Sequence, residues 1–284
     1  MFEFSDNELI NLLNDDAPYL DNTSFGLGIC GKANLCFFPK NDEIILCGVD
    51  ECVKLAKMLD IECEFALENG AKIQPKERFL SLKGKAQDLL RVAKTMQNLL
   101  EYASSVASYT RTMLENARKH NSNIALLGTR KTMPFAKKLL LKALISGGGL
   151  PHRYGLSDSI LVFKEHRVLC DDFEKGFLRL KNAFKEHKII VEVENASEAR
   201  CFAALGADIL QCERFECETL STLVSEIRAK FSHILLSATG GINKENSADY
   251  AKTGVDMLVS TAMYRENLRH KRRIYKALSG ANGA

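Results

Sequence analysis

The chain has 284 residues, of which 46% are hydrophobic and 26% charged, as is typical of a globular protein with one or two domains. The net charge of +3 is small, and no dense Lys/Arg run lies beside aromatic residues, which argues against nucleic acid as a partner. No apolar run is long enough to span a membrane, and the acidic amino terminus lacks the order of a secretory signal. The nine cysteines are scattered without a Cys-x-x-Cys pair, so we expect reduced thiols and a cytoplasmic location.

The first third of the sequence predicts strands covered by a few helices. Ser5 followed by Glu8 has the pattern of a capping box, which predicts that a helix begins there. Asp50 is expected to cap a second helix that runs to Leu59. Short apolar runs predict strands, with Gly31-Lys32 as a hairpin turn, over residues 25–30, 34–38, 43–49, 61–67 and 79–83. We therefore predict an α+β sandwich domain over residues 1–103.

A long helical pattern follows, with apolar residues spaced three and four apart between residues 86 and 120. Because this is longer than one ordinary helix, Ser104-Ser105 is expected to break it. The remaining chain alternates strands with helices, which is the pattern of parallel βα units. The predicted strands are at residues 124–127, 159–163, 189–193, 208–212, 234–237 and 257–259. The predicted helices are at residues 135–145, 173–186, 197–205, 217–230 and 244–252.

These six strands, with a seventh expected around residues 152–155, predict a TIM-like α/β barrel over residues 104–266. A C-terminal helix over residues 267–284 could pack back on the first domain. No Gly-x-Gly-x-x-Gly motif opens a helix and the sequence has no Walker-type loop. This argues against a Rossmann dinucleotide site and a P-loop. The fold class is therefore α/β, with a sandwich domain followed by a barrel.

Nearly every predicted barrel strand ends in groups able to bind anions, metal ions or hydroxyls, and barrel active sites form just beyond these strand ends. The cations that suit carboxylate or phosphate groups are Arg130, Lys131, His152 and Arg153. Glu194 and Glu213 could bind sugar hydroxyls or hold Mg²⁺ against a pyrophosphate. The backbone N–H groups of Thr239-Gly240-Gly241 could cradle a phosphate. Together these groups indicate a phosphorylated sugar, a metal ion and an anionic co-substrate.

Several of these residues also have a purely structural interpretation. Glu192 and Glu194 alternate with valines, so either one could simply face solvent on a strand. His152 would more often be a hydrogen-bonded loop histidine than a catalytic base. Lys131 or Lys164 could instead be the Schiff-base lysine of an aldolase-like barrel. The joint placement of the charged groups at strand ends favours a functional site.

Five motifs occur in a fixed order between residues 129 and 256. They are Thr129-Arg130-Lys131-Thr132-x-Pro134, Gly147-Gly148-Gly149 with His152-Arg153, Val191-Glu192-Val193-Glu194, Thr239-Gly240-Gly241 and Gly254-Val255-Asp256. In this order they resemble the quinolinate phosphoribosyltransferases, also called nicotinate-nucleotide pyrophosphorylases. The resemblance implies an N-terminal α/β sandwich, an irregular seven-stranded α/β barrel and a dimer or larger oligomer. It also implies that quinolinate and phosphoribosyl pyrophosphate react with Mg²⁺, releasing pyrophosphate and CO₂.

The resemblance assigns the acceptor side of the site to matching residues of this sequence. Arg130, His152 and Arg153 would bind the carboxylates of the acceptor, and Lys131 would lie between the acceptor and phosphoribosyl pyrophosphate. Lys94 stands where the family usually has an arginine that reaches into the neighbouring subunit's site. The resemblance therefore implies a homodimer with shared active sites.

It assigns the phosphoribosyl side in the same way. Glu194 and Glu213 would serve the ribose hydroxyls and Mg²⁺. The residues that would hold the 5′-phosphate are Thr239, Gly240, Gly241, Ser260 and Thr261. Small-molecule substrates are thus the expected partners.

This sequence departs from the family pattern in ways that bear on the acceptor. Where the family usually has a lysine, this chain has Phe163, and Lys164 follows at a position that strand geometry would point to the other face. Without that lysine, quinolinate should bind more weakly. The family's aspartate is Glu213 here, and a glutamate before the phosphate cradle is Ser237.

These departures resemble the ModD subgroup, which is associated with molybdenum transport operons and whose acceptor the resemblance does not imply. We therefore expect phosphoribosyl transfer to a quinolinate-like aromatic or heterocyclic acid that differs from quinolinate itself. The alternative is a non-catalytic binding protein for a phosphorylated or oxyanionic ligand, linked to molybdenum uptake.

Overall fold

The computed structural model describes residues 2–265 and the strand at residues 274–280. These residues divide into two compact units. The first holds residues 2–109, residues 133–147 and the strand at 274–280, and the second holds residues 110–132 and 148–265. The sequence-based division after residue 103 stays a prediction, since one helix, α4 (Ala86–Arg118), runs through that point.

The main sheet of the first unit has four antiparallel strands. β1 (Lys32–Pro39) pairs with β5 (Leu80–Lys85) on one side and with β13 (Ile274–Gly280) on the other. β3 (Glu62–Ala66) pairs with the far side of β5. A separate two-stranded ladder joins β2 (Ile44–Ile45) to β4 (Lys72–Ile73).

Helices cover this sheet and bury their apolar faces in its core. The predicted capping box at the start of α1 (Asp6–Asp16) is confirmed, because the Ser5 hydroxyl and the Glu8 carboxylate each accept from the other residue's backbone N–H. α3 (Val49–Met58) contributes a second buried face. The fully buried side chains of this core include Leu9, Leu35, Phe37, Phe79, Leu82 and Leu89. The predicted α+β sandwich is confirmed.

Several predictions for the first unit are wrong, including the cap at Asp50, which lies inside α3 because Gly48 is the N-cap residue. No strand forms at residues 25–30, which the structure describes in full, because α2 (Asn22–Gly26) occupies their start. The Asp21 carboxylate caps this helix by accepting from the Thr23 N–H at 3.0 Å, and Lys32 already begins β1, so no hairpin turn occurs there. The C-terminal helix predicted at 267–284 is wrong where the chain is described, since β13 forms instead, and the rest of it lies outside the described residues.

Helix α4 is unbroken at Ser104-Ser105, contrary to the prediction. The Ser104 hydroxyl accepts from the Cys47 N–H at 3.0 Å, and the Ser108 hydroxyl accepts from the Ile45 N–H at 2.8 Å. All four residues are buried. These serines therefore satisfy backbone donors of the segment around β2. The Ser104 hydroxyl also donates to the Cys47 carbonyl at 3.2 Å, and the Ser108 hydroxyl donates back to the Ser104 carbonyl of its own helix at 2.6 Å, which leaves the helix unbroken.

The second unit is built on seven parallel strands that curl into a partial barrel, which confirms the predicted seven-stranded α/β architecture. The strands are β6 (Ala125–Gly128), β7 (Leu150–Pro151), β8 (Ile160–Val162), β9 (Ile189–Val193), β10 (Ile209–Glu213), β11 (Leu235–Thr239) and β12 (Met257–Ser260). Their order across the sheet is β7-β6-β12-β11-β10-β9-β8. β7 and β8 are the two edges, and no ladder joins them among the described residues. The seventh strand lies at Leu150–Pro151, slightly before the predicted residues 152–155.

Helices follow most of these strands at or near the predicted positions. They are α6 (Lys164–Val168), α7 (Phe173–Ala183), α8 (Ala196–Leu205), α9 (Cys217–Lys230), α10 (Ser247–Lys252) and α11 (Ala262–Arg265). α5 (Lys137–Ser146) lies among the residues of the first unit. The short helices α6 and α11 have no counterpart among the predicted helices. None of the helices that the structure describes is long and apolar enough to cross a membrane.

The two faces of the parallel sheet have different chemistry. Val191, Val193 and Leu210 lie on the face that the helices cover, and each is fully buried. On the opposite, inner face the bottom layer is apolar and forms a cluster that includes Leu161, Ile190 and Ile209. Because side chains alternate along a strand, residues two and four positions further on continue up the same face. This brings polar groups to the carboxyl end of the inner face.

Candidate active site

The carboxyl ends of five neighbouring strands bring most of the predicted site residues to one edge of the second unit's sheet. Glu213 is in register with Thr239 on the next strand, and Glu194 directly follows β9 beside them. On the other side of Thr239, the hydroxyls of Thr261 and Thr129 lie 2.8 Å apart. This edge therefore carries carboxylates, hydroxyls and the Thr129 turn within one continuous ladder.

Arg130 and Lys131 follow β6 at this edge, and both side chains are exposed. The turn that presents them is fixed by hydrogen bonds: the Thr129 N–H donates to the Ser260 carbonyl at 3.0 Å, and the Lys131 N–H donates to the Thr129 hydroxyl at 3.2 Å. Because both cations stay exposed, folding does not desolvate them, and they remain available to bind an anion.

His152 and Arg153 follow β7, the neighbour of β6. The His152 N–H donates to the Gly128 carbonyl at 3.0 Å, which ties this segment to the end of β6. Burial, and then the charge of Arg153, lower the pKa of His152 to about 4, so its ring is neutral near pH 7. Burial, and then the charge of Arg130, lower the pKa of Arg153. Arg130, Lys131, His152 and Arg153 thus follow two paired strands, with His152 neutral among three cations.

Phe163 lies directly between β8 and α6, beside Arg153. The Arg153 guanidinium carbon lies 5.4 Å from the centre of the Phe163 ring, a cation–π distance. The His166 ring stacks on Phe163 with centroids 5.8 Å apart, and His166 Nδ1 accepts from the Phe163 N–H at 3.0 Å. The Phe163 ring is therefore in contact with both the His166 ring and the Arg153 guanidinium, and it supports Arg153.

Lys164 does not point away along a strand as predicted, because it is the first residue of α6. Its Nζ lies 2.8 Å from Glu194 Oε2. This contact raises the pKa of Lys164 and lowers that of Glu194. A Schiff-base lysine needs a lowered pKa, so the contact argues against an aldolase-like role for Lys164.

Glu192 lies on the inner face of the sheet, where Gln211 Nε2 donates to Glu192 Oε2 at 2.9 Å. Burial raises the pKa of Glu192, the Gln211 hydrogen bond opposes this, and the Glu213 carboxylate adds to it. Glu192 is thus an inner-face carboxyl and not a solvated strand residue. The sequence pattern allowed either position, because valines alternate with both glutamates.

The glycines of Thr239-Gly240-Gly241 adopt positive φ angles, +87° at Gly240 and +75° at Gly241. A Cβ at Gly240 would lie 2.5 Å from Arg214 Cγ and 2.8 Å from Glu213 Oε1. Arg214 Nε in turn lies 3.2 Å from Glu213 Oε1. Only glycine at position 240 allows this close approach.

The phosphate cradle differs from the prediction in one respect. Helix α10 begins at Ser247 and not at residue 244, so no helix directly follows the two glycines. The Asn246 side chain instead donates to the Gly241 carbonyl at 3.1 Å. The donors that this loop offers to an anion are therefore backbone N–H groups of the glycine turn itself.

Ser260 and Thr261 have different environments. The Ser260 hydroxyl is buried, donates to the Ile242 carbonyl at 2.5 Å and accepts from the Ala262 N–H at 3.0 Å. It therefore fixes the glycine loop to the end of β12. Thr261 is partly exposed and shares its hydrogen bond with Thr129, so it is the residue of this pair that a ligand can reach.

Lys94 belongs to the first unit, where it is exposed on α4 and its Nζ donates to Gln97 Oε1 at 3.0 Å.

Some buried polar groups of the second unit were not predicted from the sequence. Gln211 and Ser237 are buried on the inner face of the sheet. The hydroxyl of Tyr264, on α11, is also buried. Gln211 could have been predicted, because it occupies the same position in β10 that Glu192 occupies in the neighbouring strand β9.

The described residues contain no cluster of three or more His, Cys, Asp or Glu side chains that could hold a metal ion. Mg²⁺ that is bound mainly through substrate phosphates needs only one or two carboxylates. Glu194 and Glu213, on neighbouring strands, offer that number and the oxygen chemistry that Mg²⁺ prefers. The donor set therefore fits a substrate-bound Mg²⁺ and not a metal held by protein alone.

Comparison with known proteins identifies the family. A sequence model of the quinolinate phosphoribosyl transferase C-terminal domain matches residues 106–267, and one of the N-terminal domain matches residues 21–104. The chain is 35% identical over 268 residues to the Pasteurella multocida protein named "Putative pyrophosphorylase ModD", covering 93% of this chain and 95% of that one. It is 30% identical over 250 residues to a probable nicotinate-nucleotide pyrophosphorylase (carboxylating) of Methanothermobacter thermautotrophicus, covering 87% and 90%.

Solved structures agree with this. The nicotinate-nucleotide pyrophosphorylase of Ehrlichia chaffeensis shares the fold, with a TM-score of 0.88 at 21% identity over 98% of this chain and all of that one. That of Francisella tularensis gives a TM-score of 0.85 at 26% identity, covering 98% of each chain. By class the molecule is a phosphoribosyltransferase. The chain belongs to the quinolinate phosphoribosyltransferase family.

Proposed function

We propose that this protein transfers the phosphoribosyl group of phosphoribosyl pyrophosphate to a quinolinate-like aromatic or heterocyclic acid and releases pyrophosphate. The observation that carries the proposal is the arrangement at one sheet edge. Arg130 and Arg153 follow two paired strands there, Glu194 follows β9, and Glu213 ends the neighbouring strand β10 of the same sheet. Such a site accepts an acid on one side and a sugar on the other.

On the acceptor side, Arg130 and Arg153 would bind a carboxylate, with Lys131 between the two substrates. Guanidinium groups bind carboxylates bidentately, which fixes the plane of an aromatic acid as well as its position. The neutral ring of His152 would donate or accept a hydrogen bond beside them. Phe163 supplies an apolar wall against which an aromatic ring could pack.

On the phosphoribosyl side, the N–H groups of Gly240 and Gly241, with Thr239 and Thr261, would hold the 5′-phosphate. Ser260 would act by fixing that loop. Glu194 and Glu213 would accept from the ribose hydroxyls and stabilise the positive charge that develops on the sugar when pyrophosphate leaves. Mg²⁺, when bound with the substrate, would neutralise pyrophosphate as a leaving group, with Glu194 and Glu213 as its protein ligands.

We further propose that the active unit is a homodimer, in which Lys94 of one protomer reaches the site of its partner. The support is the family's arginine at this position and the exposure of Lys94 on α4. A lysine there would add a cation to the acceptor or pyrophosphate side of the site.

The direct test is to mix the protein with phosphoribosyl pyrophosphate, Mg²⁺ and a panel of pyridine and related heterocyclic acids, and to measure pyrophosphate release. We expect release with at least one acid, and a loss of about 100-fold or more in Arg130→Ala, because a charged partner of the acceptor is removed. Arg179→Ala, an exposed arginine on α7, is the matched control and should keep its activity. If no acid in the panel gives pyrophosphate, the proposal fails.

One observation favours a second candidate, a non-catalytic binding protein for a phosphorylated or oxyanionic ligand linked to molybdenum uptake. Phe163 lies where an additional cation would help an acceptor bind, and Lys164 is engaged with Glu194. This candidate predicts saturable binding of phosphoribosyl pyrophosphate or of an oxyanion such as molybdate without any pyrophosphate release. The same mixture therefore separates the two candidates.

A further inference from the structure

Arg214 directly follows Glu213 at the end of β10, and its backbone is held in an unfavourable conformation. Its φ of +57° lies in the left-handed region that favours glycine. The Arg214 N–H donates to the Thr239 carbonyl at 2.8 Å, and the next carbonyl, that of the buried Phe215, accepts from the Tyr250 hydroxyl at 3.1 Å. A strained residue that its surroundings fix in this way is a candidate functional residue.

The Arg214 side chain lies against the glycine turn and is 81% exposed. A Cβ at Gly240 would lie 2.5 Å from Arg214 Cγ, so the lack of a side chain at position 240 makes room for the arginine. Arg214 Nε lies 3.2 Å from Glu213 Oε1, and the guanidinium makes no other hydrogen bond or ion pair with the described residues. Its two terminal nitrogens are therefore available to a ligand at the glycine turn.

The groups proposed to hold the 5′-phosphate carry no charge of their own, since they are hydroxyls and backbone N–H groups. A phosphate monoester carries a charge of about −1.5 to −2 at pH 7, and the carboxylate of Glu213 adds to it at the end of the neighbouring strand. Such like charges repel unless a cation lies between them. Arg214 is a cation in that position, as Lys164 is beside Glu194 at 2.8 Å.

We propose that Arg214 determines the specificity for the donor, because its guanidinium binds the 5′-phosphate of the phosphoribosyl group. The inference rests on the proposed function and deepens it, since it restricts the donor to sugars phosphorylated at that position. Nη1 and Nη2 bind two phosphate oxygens bidentately, while Nε keeps its contact with Glu213. The N–H groups of the glycine turn donate to the same phosphate.

Two sugar phosphates test this, ribose 5-phosphate and 2-deoxyribose 5-phosphate, which share the phosphate and differ in one hydroxyl. Calorimetric titration of the full-length protein measures both affinities without requiring turnover. Arg214→Met removes the charge and keeps most of the aliphatic stem, so we expect both sugars to bind about tenfold or more weakly. The inference is overturned if both affinities are unchanged, or if the wild-type protein binds neither sugar.

The pair of sugars also separates phosphate binding from a role through Glu213. If Arg214 served only to position that carboxylate for the 2-hydroxyl, Arg214→Met would weaken ribose 5-phosphate alone, and the inference would fail. Arg214→Lys keeps the positive charge and should lose less affinity than Arg214→Met. Equal losses in these two variants contradict binding through the charge. Arg179→Met, at an exposed position on α7, is the matched control and should leave both affinities unchanged.

Arg214→Gly provides a readout that a merely structural arginine would not give. Glycine adopts a positive φ without strain, so the midpoint of urea unfolding should stay the same or rise. The affinity for ribose 5-phosphate should nevertheless fall about tenfold, as in Arg214→Met. A lower midpoint with unchanged affinity would identify Arg214 as a structural residue and overturn the inference.

A failure of this inference is distinguishable from a failure of the proposed function. If Arg214→Met weakens both sugar phosphates but no acid releases pyrophosphate from phosphoribosyl pyrophosphate, the proposed transfer fails and the assignment of Arg214 stands. If pyrophosphate is released and the KM for phosphoribosyl pyrophosphate is the same in Arg214→Met as in the wild type, the transfer stands and the assignment of Arg214 fails.

Discussion

Phe163 places an uncharged ring where a site for two carboxylates would need a further cation. Its ring lies against the Arg153 guanidinium at 5.4 Å and stacks on His166 at 5.8 Å. A phenyl ring holds a guanidinium in place but offers no charge to a ligand. The proposed acceptor side therefore gains order at Arg153 and has no charge at position 163.

Phe163→Lys should raise kcat/KM for quinolinate by about tenfold or more, because a cation would then lie beside Arg153 at the end of β8. Steady-state pyrophosphate release with quinolinate as the varied substrate measures this. Phe163→Leu is the control, since it removes the ring without adding charge and should not raise the rate. An equal effect of both substitutions would show that loss of the ring, and not gain of charge, is responsible.

Gly240 and Gly241 provide a matched pair for testing the glycine loop. Both have positive φ, so alanine strains the backbone at either position. Only at Gly240 would the new Cβ also meet Glu213 Oε1, at 2.8 Å, while at Gly241 it meets nothing within 4 Å. We expect Gly240→Ala to raise the KM for phosphoribosyl pyrophosphate at least about tenfold more than Gly241→Ala does. Similar KM values in the two variants would mean that Glu213 is not displaced.

Among the elements, α4 carries the clearest energetic prediction. Ser104 and Ser108 each accept from a buried backbone N–H of the segment around β2. Ser104→Ala should leave the Cys47 N–H unpaired and lower the free energy of unfolding by about 1–3 kcal/mol in urea denaturation. Ser225→Ala, at an exposed position on α9, should change it by less than about 0.5 kcal/mol. A loss no larger than that of the control would indicate that water replaces the serine hydroxyl.

The failures of sequence-based prediction have the same origin in this helix and at the C-terminus. Ser104 breaks a helix only if its hydroxyl bonds locally, and here its partner is Cys47, 57 residues away. Ile274–Gly280 forms a strand through pairing with β1, more than 230 residues earlier in the chain, a contact that no local pattern encodes. The alternation of apolar strands and amphipathic helices, by contrast, is a local pattern, and it predicted the parallel barrel.

The candidate site shows the same division. Its members could be found from sequence because barrel strands place the residues after them at one edge, as with Glu213 and Thr239. The pairing of Lys164 with Glu194 could not be predicted, because it depends on α6 starting directly after Phe163. The neutral state of His152 depends on its burial, which sequence does not give.

At the scale of the whole molecule, the proposed shared site can be tested by mixing two inactive variants. Lys94→Ala and Arg130→Ala each damage every site of their own homodimer. After subunit exchange, half the dimers would be mixed, and each would hold one intact site, so activity should return to about one quarter of the wild-type value. Pyrophosphate release after mixing measures this, and native mass spectrometry verifies the exchange. Absence of recovery among exchanged dimers contradicts a role for Lys94 across the interface.

The open seam between β7 and β8 has a consequence for how such a protein diverges. His152 and Arg153 follow one edge strand, and Phe163 follows the other, so each is tied to the sheet on one side only. Glu213 and Thr239 lie on strands inside the continuous ladder, and Glu194 and Thr261 directly follow such strands. A substitution at the proposed acceptor-facing margin can therefore be accommodated without opening a ladder, while one at the proposed phosphoribosyl-facing residues meets paired strands on both sides. On this reading, a protein with this fold can change the acid it accepts more readily than the sugar phosphate it uses.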